Sequence, residues 1–139
     1  MNSQKVVRMH QNQNQYSDHV PVLLHEVLDC LSPKNGENYL DLTAGYAGHA
    51  SAVVHITNGE LTLVDRDENA VRELQAKLPD ADIRHTDFLS ASRDLLAAGK
   101  RFDMILADLG VSSPHLNEAN RGFAINQDGP LDMRMDGRQ

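Results

Sequence analysis

The feature that most constrains this chain is an alternation of two periodicities. Short apolar runs of strand type, Asn38 to Leu42, Leu61 to Val64, Ile83 to Thr86 and Phe102 to Ala107, are separated by stretches whose apolar residues recur at helical spacing. Those helical faces are Ala50, Val53 and Val54; then Val71, Leu74 and Leu78; then Ala91, Leu95 and Ala98, with Gly99 as a stop. An earlier helix is expected from Val20, Leu23, Leu24, Val27, Leu28 and Leu31, with Pro21 in its first turn and Pro33 and Gly36 ending it. Strands separated by helices pair in parallel through right-handed crossovers. The expected fold is therefore α/β, a parallel sheet with flanking helices. With no Trp and only 4% aromatic residues, its core must be built from Leu, Val, Ile and Ala.

In open parallel sheets, ligands bind beyond the carboxyl ends of the strands. The four runs end in, or beside, Asp41, Asp65, Asp87 and Asp108. Asp also caps helices and forms turns, and Asp67 reads as the cap of the helix after the second strand. Four acids at equivalent positions nevertheless point to a ligand site. The first turn offers only Gly45 and Gly48, a G-x-x-G pattern, whereas a dinucleotide needs G-x-G-x-x-G around its pyrophosphate. Asp41 beside that turn would repel phosphate. S-adenosylmethionine carries an ammonium and a sulfonium and no phosphate, which suits carboxylates.

On that reading Gly45 and Gly48 let the backbone approach the methionyl part, and Asp65 accepts both ribose hydroxyls. Asp87 and Phe88 flank the adenine, with core packing an equal alternative for Phe88. The loop Asp108-Leu-Gly-Val-Ser-Ser-Pro114 follows the fourth strand. Asp108 and nearby carbonyls suit the N–H groups of an exocyclic amine that must be aligned with the sulfonium methyl. A base-paired target would first have to be flipped out.

The formal net charge of −7 argues against a surface given over wholly to nucleic acid, while leaving room for a local basic patch. The seven histidines show neither H-E-x-x-H nor paired Cys/His spacing, so no metal is expected. The single cysteine, Cys30, lies on an apolar helical stretch and reads as a buried, inert thiol. Residues Met1 to Ser17 are rich in Gln and Asn and read as a disordered tail ahead of one domain over 18–139. Leu109 to Gln139 reads as loop with one short helix. No run has transmembrane length and no signal-peptide run opens the chain, so a cytoplasmic location is expected.

Several blocks carry a more specific likeness. His19-Val-Pro-Val-Leu-Leu24, Asp41-Leu-Thr-Ala-Gly-Tyr-Ala-Gly-His49, Asp65-Arg-Asp67, Asp108 to Pro114, Arg121-Gly-Phe123 and Asp128-Gly-Pro-Leu-Asp-Met-Arg-Met-Asp136 resemble the RsmH (MraW) family. The resemblance implies a Rossmann-like, S-adenosylmethionine-dependent methyltransferase fold that methylates N4 of a cytidine in 16S ribosomal RNA of the small subunit. It places cofactor contacts on Ala47, Gly48, His49, Asp65, Phe88, Asp108 and His115. Asp108 is then the catalytic residue that orients the amine. Asp132, Arg134 and Asp136 would line the RNA side, with a solvated loop the equal alternative.

Two departures stand out. The family turn is usually richer in glycine than Tyr46-Ala47, and Gln usually stands where this chain has His115. Ala47 is tolerable there if its φ is negative, and His115 can still hydrogen-bond, with a charge that responds to pH. Family members are also longer, with an RNA-binding helical insert and further strands, so the domain is expected to be truncated. The alternative function is a non-catalytic fragment that binds cofactor or a partner. Neither a membrane nor a metal partner is implied, and oligomeric state is open.

Overall fold

The alternation folds into the expected order: α1 (Leu24–Leu31), β1 (Tyr39–Asp41), α2 (Gly48–Thr57), β2 (Leu61–Asp65), α3 (Glu68–Lys77), β3 (Asp82–His85), α4 (Phe88–Ala97), β4 (Met104–Leu106) and α5 (Ser113–Asn117), then a 3₁₀ turn at Ala119–Arg121. This is a computed structural model, and it describes residues 21–111 and 113–137. The tail at 1–17, His19 and Val20 lie outside the described residues.

The four strands form one parallel sheet in the order β3-β2-β1-β4. The chain steps outward from β1 to β3, then returns to the other side of β1 for β4. That reversal opens a crevice at the carboxyl ends of β1 and β4. The register sets Asp41 opposite Leu63 and Leu106, and Asp65 opposite His85, so the predicted strand ends share one edge of the sheet.

Helices cover both faces, as a parallel sheet requires. On one face Tyr39, Leu61, Leu63 and Met104 pack with Ala44, Ala47, Ala50, Val53 and Leu74, flanked by Leu28 and Leu31 of α1. On the other, Leu40 and Val64 pack against Ala91 and Leu95 of α4. The central strands β1 and β2 are buried on both sides, whereas β4 leaves Ile105 55% exposed. Leu74 is fully buried, so truncating it to Ala costs about 2–5 kcal/mol.

Two helices begin on side-chain caps and two do not. Asp67 accepts from the Asn69 N–H, and Asp87 accepts from the Leu89 and Ser90 N–H groups. In contrast, α1 and α2 start from residues in the left-handed region, Leu23 (φ 53°) and Ala47 (φ 71°). Leu23 is why α1 starts at Leu24 rather than near Pro21: the chain turns there before helical dihedrals begin. Cys30 corrects its expectation, because it is exposed. The half-buried stripe of α1 runs through Leu24, Val27, Leu28 and Leu31, and Cys30 falls beside that stripe.

Candidate functional site

The crevice between β1 and β4 is closed at its base by backbone and hydroxyl contacts. The Leu42 N–H donates to the Leu106 carbonyl at 2.9 Å, and the Asp108 N–H donates to Thr43 Oγ1 at 2.7 Å. Beyond that point the loops diverge. Asp108 and Leu109 are exposed, and Gly110 has a φ of 152°.

Asp65 ties the first turn to the second strand. Its Oδ2 accepts from the Gly45 N–H and its Oδ1 from the Asp67 N–H, both at 2.8 Å. Each carboxylate oxygen has a further lone pair for a hydroxyl. Phe88, the first residue of α4, is 48% exposed, so core packing does not account for it.

Asp41 and Asp87 have other work. Asp41 is 1% exposed, and the Tyr39 hydroxyl donates to its Oδ2 at 2.9 Å while the Thr43 N–H donates to Oδ1 at 3.0 Å. Burial pushes its pKa up to about 6, against the hydrogen bonds from Thr43 and Tyr39. The sequence reading of Asp41 as a charge facing the ligand is therefore corrected: it is an interior acid that shapes the turn. The Asp87 carboxylate caps α4, and the Ser90 N–H and hydroxyl hold it below the usual carboxylate range.

The turn before α2 is also set by packing. Ala47 has a φ of 71°, so the condition of a negative φ is not met, and its methyl is buried in the core. A Cβ at Gly48 would lie 2.4 Å from Pro21 Cγ, so the missing side chain admits the proline ring. His49 Nε2 donates to the Val22 carbonyl at 3.0 Å. Gly48 and His49 thus seat the segment before α1 against the start of α2.

His115 is 6% exposed and donates from Nε2 to Asp67 Oδ2 at 2.7 Å, with its ring 5.1 Å from that of Phe123. Arg121 Nη2 donates to the same oxygen at 3.0 Å and to the Met135 carbonyl at 3.1 Å. Burial pushes the Asp67 carboxyl up, but hydrogen bonds from Arg121, Asn69 and His115 outweigh it and hold the pKa below the ordinary value. Sequence reasoning gave Asp67 only its cap and gave Arg121 no role. The signal was an acid two residues past a strand end and an arginine in the R-G-F block, with nothing local to connect them. Farther along, Asp132 and Arg134 are exposed and paired with each other. Asp136 corrects the solvated-loop reading, being 8% exposed.

A cleft of about 760 Å³ lies at the opposite edge of the sheet, among Asn38, Leu61 and Asp82 at the strand starts. The carboxyl edge instead gathers Asp65, Phe88 and Asp108 near the starts of α2, α3 and α4. A smaller cleft of about 220 Å³ opens there beside Asp67, Asn69, Arg121 and Arg134. Among the described residues there is no group of three side chains able to hold a metal ion, and no helix is long and apolar enough to cross a membrane.

A parallel sheet with a switch point at β1 and β4, acids at its carboxyl edge and helices on both faces is a Rossmann-like domain of the methyltransferase class. The model of the MraW methylase family matches residues 16–139, and the chain belongs to that family. It is similar to the "Ribosomal RNA small subunit methyltransferase H" of Rickettsia massiliae (strain Mtu5), at 45% identity over 86% of this chain and 40% of the relative. Proteins of the same name from Gluconobacter oxydans (strain 621H) and Nitratidesulfovibrio vulgaris (strain DP4) are 44% and 45% identical over 86% and 88% of this chain, and 38% and 40% of the relatives. The chain thus spans about 40% of the length of these relatives.

Proposed function

We propose that this chain is the S-adenosylmethionine-binding part of an enzyme that methylates N4 of a cytidine in 16S ribosomal RNA of the small subunit, in the cytoplasm. The observation that carries the reading is the β1–β4 crevice, with the half-buried Asp65 on one side and the exposed Asp108 on the other. The donor set fits the cofactor. Carboxylates and an exposed aromatic ring suit a cationic nucleoside, and the first turn has no glycine pattern for a pyrophosphate. The outer side of that turn is clear, since a Cβ at Gly45 would meet nothing nearer than the Thr43 carbonyl at 3.9 Å.

In this reading Asp65 accepts the ribose hydroxyls and Phe88 lies against the adenine. Ala47, Gly48 and His49 supply the turn beside the methionyl part, and His115 supports the ribose side. When bound, S-adenosylmethionine supplies a methyl group activated on sulfonium. Asp108 accepts a hydrogen bond from the cytidine amino group and turns its nitrogen lone pair toward that methyl. The names of the relatives support small-subunit ribosomal RNA as the substrate class.

The test is methyl transfer from labelled cofactor to small subunits that lack the modification, followed by nucleoside mass spectrometry. Label on cytidine N4 is expected, and label on another atom overturns the assignment. A second reading, binding without turnover, is favoured by the open β4 edge at Ile105. Cofactor binding with no label on any subunit would select it.

A further inference from the structure

The loop that carries Asp108 is held at both ends, and only one hold belongs to the sheet. At its start the Asp108 N–H donates to Thr43 Oγ1. At its far end, on α5, His115 donates to Asp67. Asp67 in turn donates its N–H to Asp65, and Asp65 holds the Gly45 N–H. Arg121 joins Asp67 to the Met135 carbonyl. A line of hydrogen bonds therefore runs from the first turn through Asp65 and Asp67 to α5, the 3₁₀ turn and residue 135.

The 3₁₀ turn and the later segment are packed backbone to backbone. A Cβ at Gly122 (φ 74°) would lie 2.5 Å from the Pro130 carbonyl, and one at Gly129 would lie 2.1 Å from that of Ala119. Neither contact tolerates a side chain, so Gly122 and Gly129 let the 3₁₀ turn that carries Arg121 pack directly on the backbone of the 129–133 segment. The Asp67 and Arg121 side chains are 3% and 16% exposed. A pair this dry is costly to break, because each partner would be left as a buried charge.

We propose that Arg121, with His115, is a positioning residue for the cofactor's ribose end. By holding Asp67 it fixes the Asp65 carboxylate, and it couples cofactor binding to the order of residues 119–135. The proposal rests on the cofactor reading above. It assigns Arg121 no contact with cofactor.

Coupling is reciprocal, so it can be read from both sides. Calorimetric titration with S-adenosylmethionine is expected to show affinity about tenfold weaker in Arg121→Ala. Arg121→Lys, which keeps a charge, should lose less. Asp67→Asn keeps the cap oxygen and loses the ion pair, and it should weaken binding like Arg121→Ala; it carries the test if Arg121→Ala does not fold. In the unsubstituted chain, cofactor should slow tryptic cleavage after Arg134, and in Asp67→Asn it should not. Wild-type affinity in folded Arg121→Ala, or cleavage after Arg134 that cofactor leaves unchanged, overturns the proposal. No binding by the unsubstituted chain would instead sink the cofactor reading itself.

Discussion

Replacing Asp41 with Asn measures what a buried carboxylate costs this domain. Asp41 is 1% exposed, and burial lifts its pKa from 3.8 to about 6. A shift of that size corresponds to ~3 kcal/mol against the charged form. The sign follows from proton uptake. Between roughly pH 4 and pH 6 the folded state holds the Asp41 proton more tightly than the unfolded chain does. The penalty is therefore absent below that window, grows as pH rises through it, and is complete above it.

An asparagine can still accept from the Thr43 N–H and face the Tyr39 hydroxyl, as the neutral acid does, and the shifted pKa already includes what those two hydrogen bonds give the carboxylate. Asp41→Asn should then be more stable than the parent by ~3 kcal/mol near pH 7.5, with the gap falling to ~1 kcal/mol around pH 4.5 and to near zero around pH 3. Urea unfolding of both proteins at these pH values gives the difference directly, and other titrating groups cancel in the comparison. A gap that does not change with pH would refute the reasoning, as would a variant less stable at the higher pH.

Three further outcomes follow from the same geometry. Ala47→Gly should change stability by less than ~0.5 kcal/mol, because relief of the left-handed φ offsets the lost buried methyl, whereas Ala47→Val should cost at least ~2 kcal/mol in thermal or urea unfolding. Gly48→Ala should cost ~1–3 kcal/mol through the Pro21 ring, and a double-mutant cycle with Pro21→Gly should recover part of it; strict additivity would mean the ring is not the obstacle. The depressed pKa of Asp67 makes its contribution full above the unfolded carboxylate value near 4 and lost as pH falls through the lower folded value. Acid unfolding of Asp67→Asn should therefore show a weaker loss of stability below about pH 4 than the parent.

The strand and helix order was legible because the two periods, near two and near 3.6, are properties of local sequence. Asp67 was legible as a cap because capping is set by neighbours in sequence, whereas Asp87, read as flanking the adenine, turns out to cap α4. The start of α1 was not legible, since the left-handed Leu23 interrupts an unbroken helical pattern without a glycine to announce it. Among the candidate site residues, Asp65 and Asp108 sit where strand ends predicted, but Asp41 does not face outward. Its burial depends on Tyr39 and on cover from both faces of the sheet, which no run of five residues encodes. The join of Asp67 to His115 and Arg121 spans distant parts of the chain, so only the fold brings those charges together. Cys30 misled because an apolar neighbourhood in sequence is not the same as the buried stripe of a helix.

The central claim is that the carboxyl edge of this sheet takes a cationic nucleoside and not a dinucleotide. Calorimetric titration of the chain with S-adenosylmethionine, and in parallel with NAD, tests it most directly. Saturable one-to-one binding of S-adenosylmethionine, lost in Asp65→Ala, with no heat from NAD, is the predicted result. Tight binding of NAD, or S-adenosylmethionine binding unaffected by Asp65→Ala, would contradict the account.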